Sequence, residues 1–106
     1  MVTIYNKLVR DRIPQIIQES GQLCNTRILT DSEYITALDA KLQEELAEYK
    51  ESRSIEELAD IFEVLCAMAA CNGFSKEDLI AAQERKRADR GGFEGRIFLT
   101  GVQDNN

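Results

Sequence analysis

Residues 43–60, QEELAEYKESRSIEELAD, place Glu44, Glu45, Glu48, Glu51, Glu56, Glu57 and Asp60 around only two basic side chains, Lys50 and Arg53. Carboxylates gathered this densely repel one another, at about 4 kcal/mol per pair for a 4 Å separation and an effective dielectric of 20. A chain that keeps them together must neutralise them, and a divalent cation does so. The chain has no histidine, and its three cysteines form no CxxC pair. The usual zinc sites, the imidazole-dependent triads and the commonest general base are therefore absent. An all-oxygen donor set selects Mg²⁺, or Mn²⁺, over zinc and suits phosphate-bearing substrates that complete the coordination shell.

The acids must be positioned by two consecutive helices. Thr30 and Glu33 have the capping-box spacing, after which Ile35, Leu38, Leu42, Leu46 and Tyr49 recur at steps of three and four through about Ser52. With that apolar stripe as the core direction, Glu45 lies roughly 60° from its centre, Glu48 roughly 120° and Glu44 roughly 160°. Ser54 and Glu57 repeat the capping-box spacing and open a second helix to about Asn72, with Gly73 as its terminator. Glu57 and Asp60 share one face of it, on the side away from Leu58, Leu65 and Ala69. An antiparallel hairpin brings the two acidic pairs together.

A plainer reading accounts for each half alone. Glu is a strong helix former, Lys41 is spaced to pair with Glu45 at i, i+4, and Glu57 has a capping role of its own. Glu44, Glu51 and Glu56 face solvent or support the site from behind it.

Around the hairpin, RIPQIIQESG reads as a short helix with Pro14 in its first turn and Gly21 as its stop. QLCNTRIL, residues 22–29, reads as a strand that pairs with a terminal strand in GGFEGRIFLTGV, and the QDNN tail as frayed. SKEDLIAAQERKRADR is a helix capped by Ser75 that ends in a basic cluster. There, Lys86 and Arg90 are i, i+4 and precede two glycines, an arrangement suited to phosphate or simply to the negative end of the helix dipole. Lys7 and Arg10 in YNKLVRDR serve either phosphate or nearby acids. Tyr49, Phe62 and Phe93 could stack on a base or simply pack.

At 106 residues, with 43% apolar residues and one proline, the chain is the length of one globular domain, residues 1–106. A net charge of −6 argues against nucleic-acid duplexes and anionic membranes as partners. The charged N-terminus is unlike a signal peptide, and the longest apolar run, residues 64–71, is far shorter than a membrane span. A cytoplasmic protein with buried thiols at Cys24, Cys66 and Cys71 is the expectation. IFEVLCAMAAC is apolar at every position but Glu63, so that helix needs enclosure on all sides, which a second subunit supplies.

The segments Glu44-Glu45-Leu46-Ala47-Glu48 and Glu57-Leu58-Ala59-Asp60 form an EExxE followed by an ExxD. Together with YNKLVRDRIPQII and ERKRADRGGFEGRIFL at the two ends, they make the chain resemble the MazG-like all-α nucleotide pyrophosphohydrolases. That group includes phosphoribosyl-ATP pyrophosphohydrolase and the dimeric dUTPases. The resemblance implies a mainly α helical hairpin with flanking helices and a small terminal β element, assembled as a homo-oligomer, at least a dimer, through residues 58–71. It further implies Mg²⁺-dependent hydrolysis of a nucleotide to the monophosphate and pyrophosphate. By the same resemblance Glu45, Glu48, Glu57 and Asp60 are metal ligands, and Glu44 orients or deprotonates the attacking water. Lys86, Arg90, Lys7 and Arg10 are the phosphate contacts. The eight residues between Glu48 and Glu57 are fewer than in many members. Two rivals stand beside this reading: a non-catalytic helical interaction module, and a dedicated phosphoribosyl-ATP pyrophosphohydrolase of histidine synthesis.

Overall fold

The computed structural model describes residues 1–104 and contains four helices among them. The first, α1 (Ile13–Glu19), carries Pro at its start and is followed by Gly21 at φ +90°, a left-handed turn that glycine adopts without a Cβ penalty. Residues 1–10 form an irregular arm ahead of it.

The long helix α2 (Asp31–Ser52) opens with the expected reciprocal box: Thr30 Oγ accepts from the Glu33 N–H at 3.3 Å, and Glu33 accepts from the Thr30 N–H at 3.0 Å. The Arg27 guanidinium clasps the same carboxylate at 3.2 and 3.1 Å. That fork, then the Thr30 backbone, hold the Glu33 carboxyl down at about 2, against an ordinary 4.5. A depressed carboxyl stabilises the fold above its unfolded value and loses that contribution as pH falls through its folded one. Glu33→Gln should therefore be most destabilising above pH 4.5 and converge on wild type toward pH 2, read from urea midpoints across that window.

Arg53, in left-handed conformation at φ +55°, ends α2, and Ser54 caps α3 (Ile55–Cys71) two residues later. The two helices pack on each other as a hairpin. Here the box is one-sided: Ser54 Oγ accepts from the Glu57 N–H at 3.3 Å, but Glu57 does not reach back to the cap. Its carboxylate is thereby free to serve elsewhere. After Gly73 at φ +82°, Ser75 and Asp78 form a full capping box for α4 (Lys76–Arg90), which contacts α3 and turns from it by 106°.

Two expectations are corrected in the single chain. No strand forms among the described residues: 22–29 and the segment after Arg90 run as irregular chain. Leu23, Ile28, Ile97 and Phe98 are all exposed, so nothing buries an apolar face that would fix a ladder's register. Cys24 and Cys66 are half-buried and Cys71 is exposed, rather than all three being enclosed. On α3, Leu58, Phe62 and Leu65 remain open in the single chain, so the cover expected for them does not come from this chain's own helices. Of the frayed tail, Gln103 and Asp104 are irregular and exposed, while 105–106 lie outside the described residues. No single helix among the described residues is long and apolar enough to cross a membrane.

The apolar core is thin, with Leu38 and Val64 as its buried members. The radius of gyration is 18.9 Å, whereas a compact domain of this length has about 13 Å. Leu38 and Val64 both face the α2–α3 seam, and the acidic residues sit in that same seam toward the turn.

Candidate metal centre

The inner face of α2 is rotated from the apolar stripe toward Glu45. Glu45 is 5% exposed and Leu38 3%, whereas Leu46 is 43% and Ile35 52% exposed. Where α3 contacts α2, the flank it covers is the one bearing the acid, which lies one helical step from Leu46. On α3, Glu57 and Asp60 turn toward the same seam and are half-buried, while Leu58 and Leu65 point away. Carboxylate oxygens of Glu45, Glu57 and Asp60 come within 4.8 Å of one another, as do those of Glu44, Glu45 and Glu48. Glu45 belongs to both groups. Glu48 is exposed and Glu44 half-buried.

The oxygens of this cluster are unequally satisfied. Glu45 Oε1 forms an ion pair with Lys41 Nζ at 3.0 Å, and the same ammonium is 3.5 Å from Glu44 Oε1. Lys7 donates to Glu44 at 3.2 Å, and Arg10 donates to Asp60 at 2.7 Å. Glu45 Oε2 and Glu57 Oε2 are buried without a hydrogen-bond partner. Such an orphaned acceptor costs the desolvation of a charged group unless something positive meets it. Burial pushes the Glu45 carboxyl above its ordinary value, with Lys41 opposing and Glu48 reinforcing the shift. Burial alone would lower Lys41, but its bonds to Glu45 and Glu44 outweigh this and raise it. The hydrogen bond to Asp60 is the main reason the Arg10 guanidinium is held still more firmly protonated.

Two orphaned, buried carboxylate oxygens beside a third carboxylate make a donor set for a hard divalent cation. The charge, the all-oxygen chemistry and the unfilled acceptor capacity fit Mg²⁺ or Mn²⁺.

Of the residues picked out for phosphate, Lys7 and Arg10 come to the acids, one on each helix's carboxylates. Lys86 and Arg90 do not. They are exposed on α4 and make no ion pair among the described residues. α4 starts beyond the far end of α3, whose last residue lies about 21 Å along the helix axis from Glu57. Arg87, their neighbour, binds Glu94 at 2.7 Å across the glycine turn. Phe93 is exposed, Tyr49 carries the Arg53 guanidinium 5.1 Å from its ring centroid, and Phe62 lies under Lys76 at 5.6 Å.

The sequence pairs Lys41 with Glu45 through their spacing, but its second bond, to Glu44, emerges only with the side chains placed. No local signal joins Lys7 to Glu44 or Arg10 to Asp60, which are separated by 37 and 50 residues.

No family model and no solved structure matches the chain. Over 44 residues the chain is 57% identical to an uncharacterized protein of Mycolicibacterium smegmatis, a match that covers 42% of this chain and 45% of that relative. The chain thus spans under half the length of the relative it matches.

Proposed function

We propose that the chain is a Mg²⁺-dependent nucleotide pyrophosphohydrolase of the MazG-like kind, acting on a nucleoside triphosphate or related nucleotide to give the monophosphate and pyrophosphate. The observation that carries this reading is the convergence of Glu45, Glu57 and Asp60 around two buried carboxylate oxygens without partners. A surface salt-bridge network has no use for buried acceptors left empty, whereas a cation site requires them. The EExxE and ExxD segments add to it.

In this reading Glu45, Glu57 and Asp60 provide the metal carboxylates, with the exposed Glu48, expected beside them from the resemblance, adding negative charge at the edge of the site, and Mn²⁺ substitutes for Mg²⁺. The ion supplies Lewis acidity and neutralises charge on the phosphate oxygens. Glu44 holds or deprotonates the attacking water, a task for which no histidine is available. Lys7 and Arg10, bonded to Glu44 and Asp60, sit where a polyphosphate would arrive and are the nearest cations to exchange a carboxylate for a phosphate oxygen. Lys86 and Arg90 join them only if another subunit's α4 reaches the site. The protein assembles as a cytoplasmic homo-oligomer, at least a dimer, through residues 58–71, where Leu58, Phe62 and Leu65 lack cover in one chain. Clearance of noncanonical nucleotides is a role consistent with this chemistry.

That same uncovered apolar face also supports the rival, a non-catalytic interaction module. Pyrophosphate release from a broad nucleotide panel that includes phosphoribosyl-ATP, with and without Mg²⁺, separates the readings. The expected result is Mg²⁺-dependent release by wild type, reduced about a hundredfold or more in Glu45→Gln, the scale of several kcal/mol of lost transition-state stabilisation. No turnover of any substrate, or equal turnover by the variant, assigns the interaction role. Turnover confined to phosphoribosyl-ATP assigns the histidine pathway.

A further inference from the structure

The two carboxylate groups that share Glu45 are not equivalent. In the group of Glu44, Glu45 and Glu48, a cation is already present: the Lys41 ammonium lies 3.0 Å from Glu45 Oε1 and 3.5 Å from Glu44 Oε1. Its side chain is only 16% exposed, far from a solvated surface lysine. In the group of Glu45, Glu57 and Asp60, the exposed Arg10 guanidinium holds Asp60 Oδ1 at 2.7 Å, but Glu45 Oε2 and Glu57 Oε2 have no partner. Glu45 thus commits one oxygen to an internal ammonium and keeps the other open.

We propose that Lys41 acts as a built-in cation in the place of a second divalent ion, so that each chain loads one metal ion, in the Glu45, Glu57 and Asp60 group. This rests on the metal-dependent reading above and goes beyond it by assigning stoichiometry and position.

The argument is one of charge and space. Two-metal phosphoryl-transfer sites hold their ions about 3.5–4 Å apart on bridging carboxylates. Glu45 is the residue placed to bridge, and Lys41 Nζ already holds one side of it. An ammonium is a compact point charge with three donors, enough for Glu45 and Glu44 together. Loading a second ion on that side would require expelling a mostly buried lysine and placing two positive charges within a few ångströms of it. A further consequence concerns Glu48. It is exposed and grouped with the lysine-filled side, so it adds to the field of the site rather than to the ion's shell.

Lys41 is a positioning residue, and its test does not depend on turnover. Mn²⁺ binding to the full chain, without nucleotide, is counted by electron paramagnetic resonance and by calorimetry. Wild type is expected to bind one tight ion per chain, and Lys41→Gln to gain a second. Asp60→Asn should weaken the first ion at least about tenfold, and Glu48→Gln no more than about twofold. Two tight ions per wild-type chain overturn the proposal and leave the metal-dependent reading standing. A single ion in a folded Lys41→Gln, or equal weakening by Asp60→Asn and Glu48→Gln, also overturns it. Should Lys41→Gln fail to fold, the wild-type count and the contrast between the other two variants decide the matter. A wild-type chain that binds no Mn²⁺ overturns both this proposal and the metal-dependent function.

Discussion

Glu45→Gln should make the metal-free protein more stable at neutral pH while removing its response to Mg²⁺. Glu45 is buried, one of its oxygens is orphaned, and burial raises its carboxyl above 4.5 in spite of Lys41. For a carboxyl whose folded value is raised, ionisation costs stability. That cost is absent below pH 4.5 and develops as pH rises through the folded value. Metal-free wild type should therefore gain stability on mild acidification, and the variant should not. Glutamine keeps the shape, offers a neutral acceptor to Lys41 and carries no charge in the seam.

With Mg²⁺ the order reverses. A ligand that binds only the folded state, at about a hundred times its dissociation constant, contributes about 2.7 kcal/mol. At about 4–8 °C per kcal/mol for a domain of this size, wild type should rise by roughly 10 °C or more and Glu45→Gln by almost nothing. Thermal scans with and without Mg²⁺ measure both halves. An equal Mg²⁺-dependent rise in the two proteins would remove Glu45 from the metal site.

Leu65→Glu should dissociate the proposed homo-oligomer. Leu65 is 37% exposed in the single chain and shares its helix face with Leu58 and Phe62, while the core between α2 and α3 has few buried apolar side chains of its own. Burying a leucine is worth about 1.5–3 kcal/mol, and an unpaired carboxylate in the same place adds a penalty of several kcal/mol. In a two-fold interface the change occurs twice. A loss of at least about 4 kcal/mol weakens association about a thousandfold or more. Sedimentation or light scattering over a concentration series reads this directly, with Glu51→Gln, on the exposed part of α2, as the silent control. A wild-type chain that is monomeric and fully folded would refute the interface.

Most of the helical framework was legible because its signals are local. Thr30 with Glu33, Ser54 with Glu57, and Pro14 with Gly21 each act within one or two turns, where backbone geometry determines which atoms meet. The capping box at Ser75 and Asp78 was visible in part, through its serine. The convergence of Glu45, Glu57 and Asp60 could be anticipated because two helical periodicities and a short turn leave few ways to fold a hairpin. What periodicity misjudged was the core direction. It treated Leu46 as inner and Glu45 as flanking, yet Glu45 is the more buried of the two. A hydrophobic stripe marks a face to be covered but does not say whether the hairpin partner or another subunit covers it. The strand in 22–29 failed for a related reason, since a ladder depends on a partner that a local pattern cannot supply.

The order of the residues thus determined the four helices, most of their caps, the meeting of Glu45 with Glu57 and Asp60, though not of Glu48 with them, and the exclusion of imidazole chemistry. Tertiary structure alone decided which oxygens are left orphaned, that Lys41 bridges Glu44 and Glu45, and that Lys7 and Arg10 come down on Glu44 and Asp60. The division follows range. Backbone hydrogen bonding and helical period act over a few residues, while electrostatic neutralisation acts through space between segments as much as fifty residues apart.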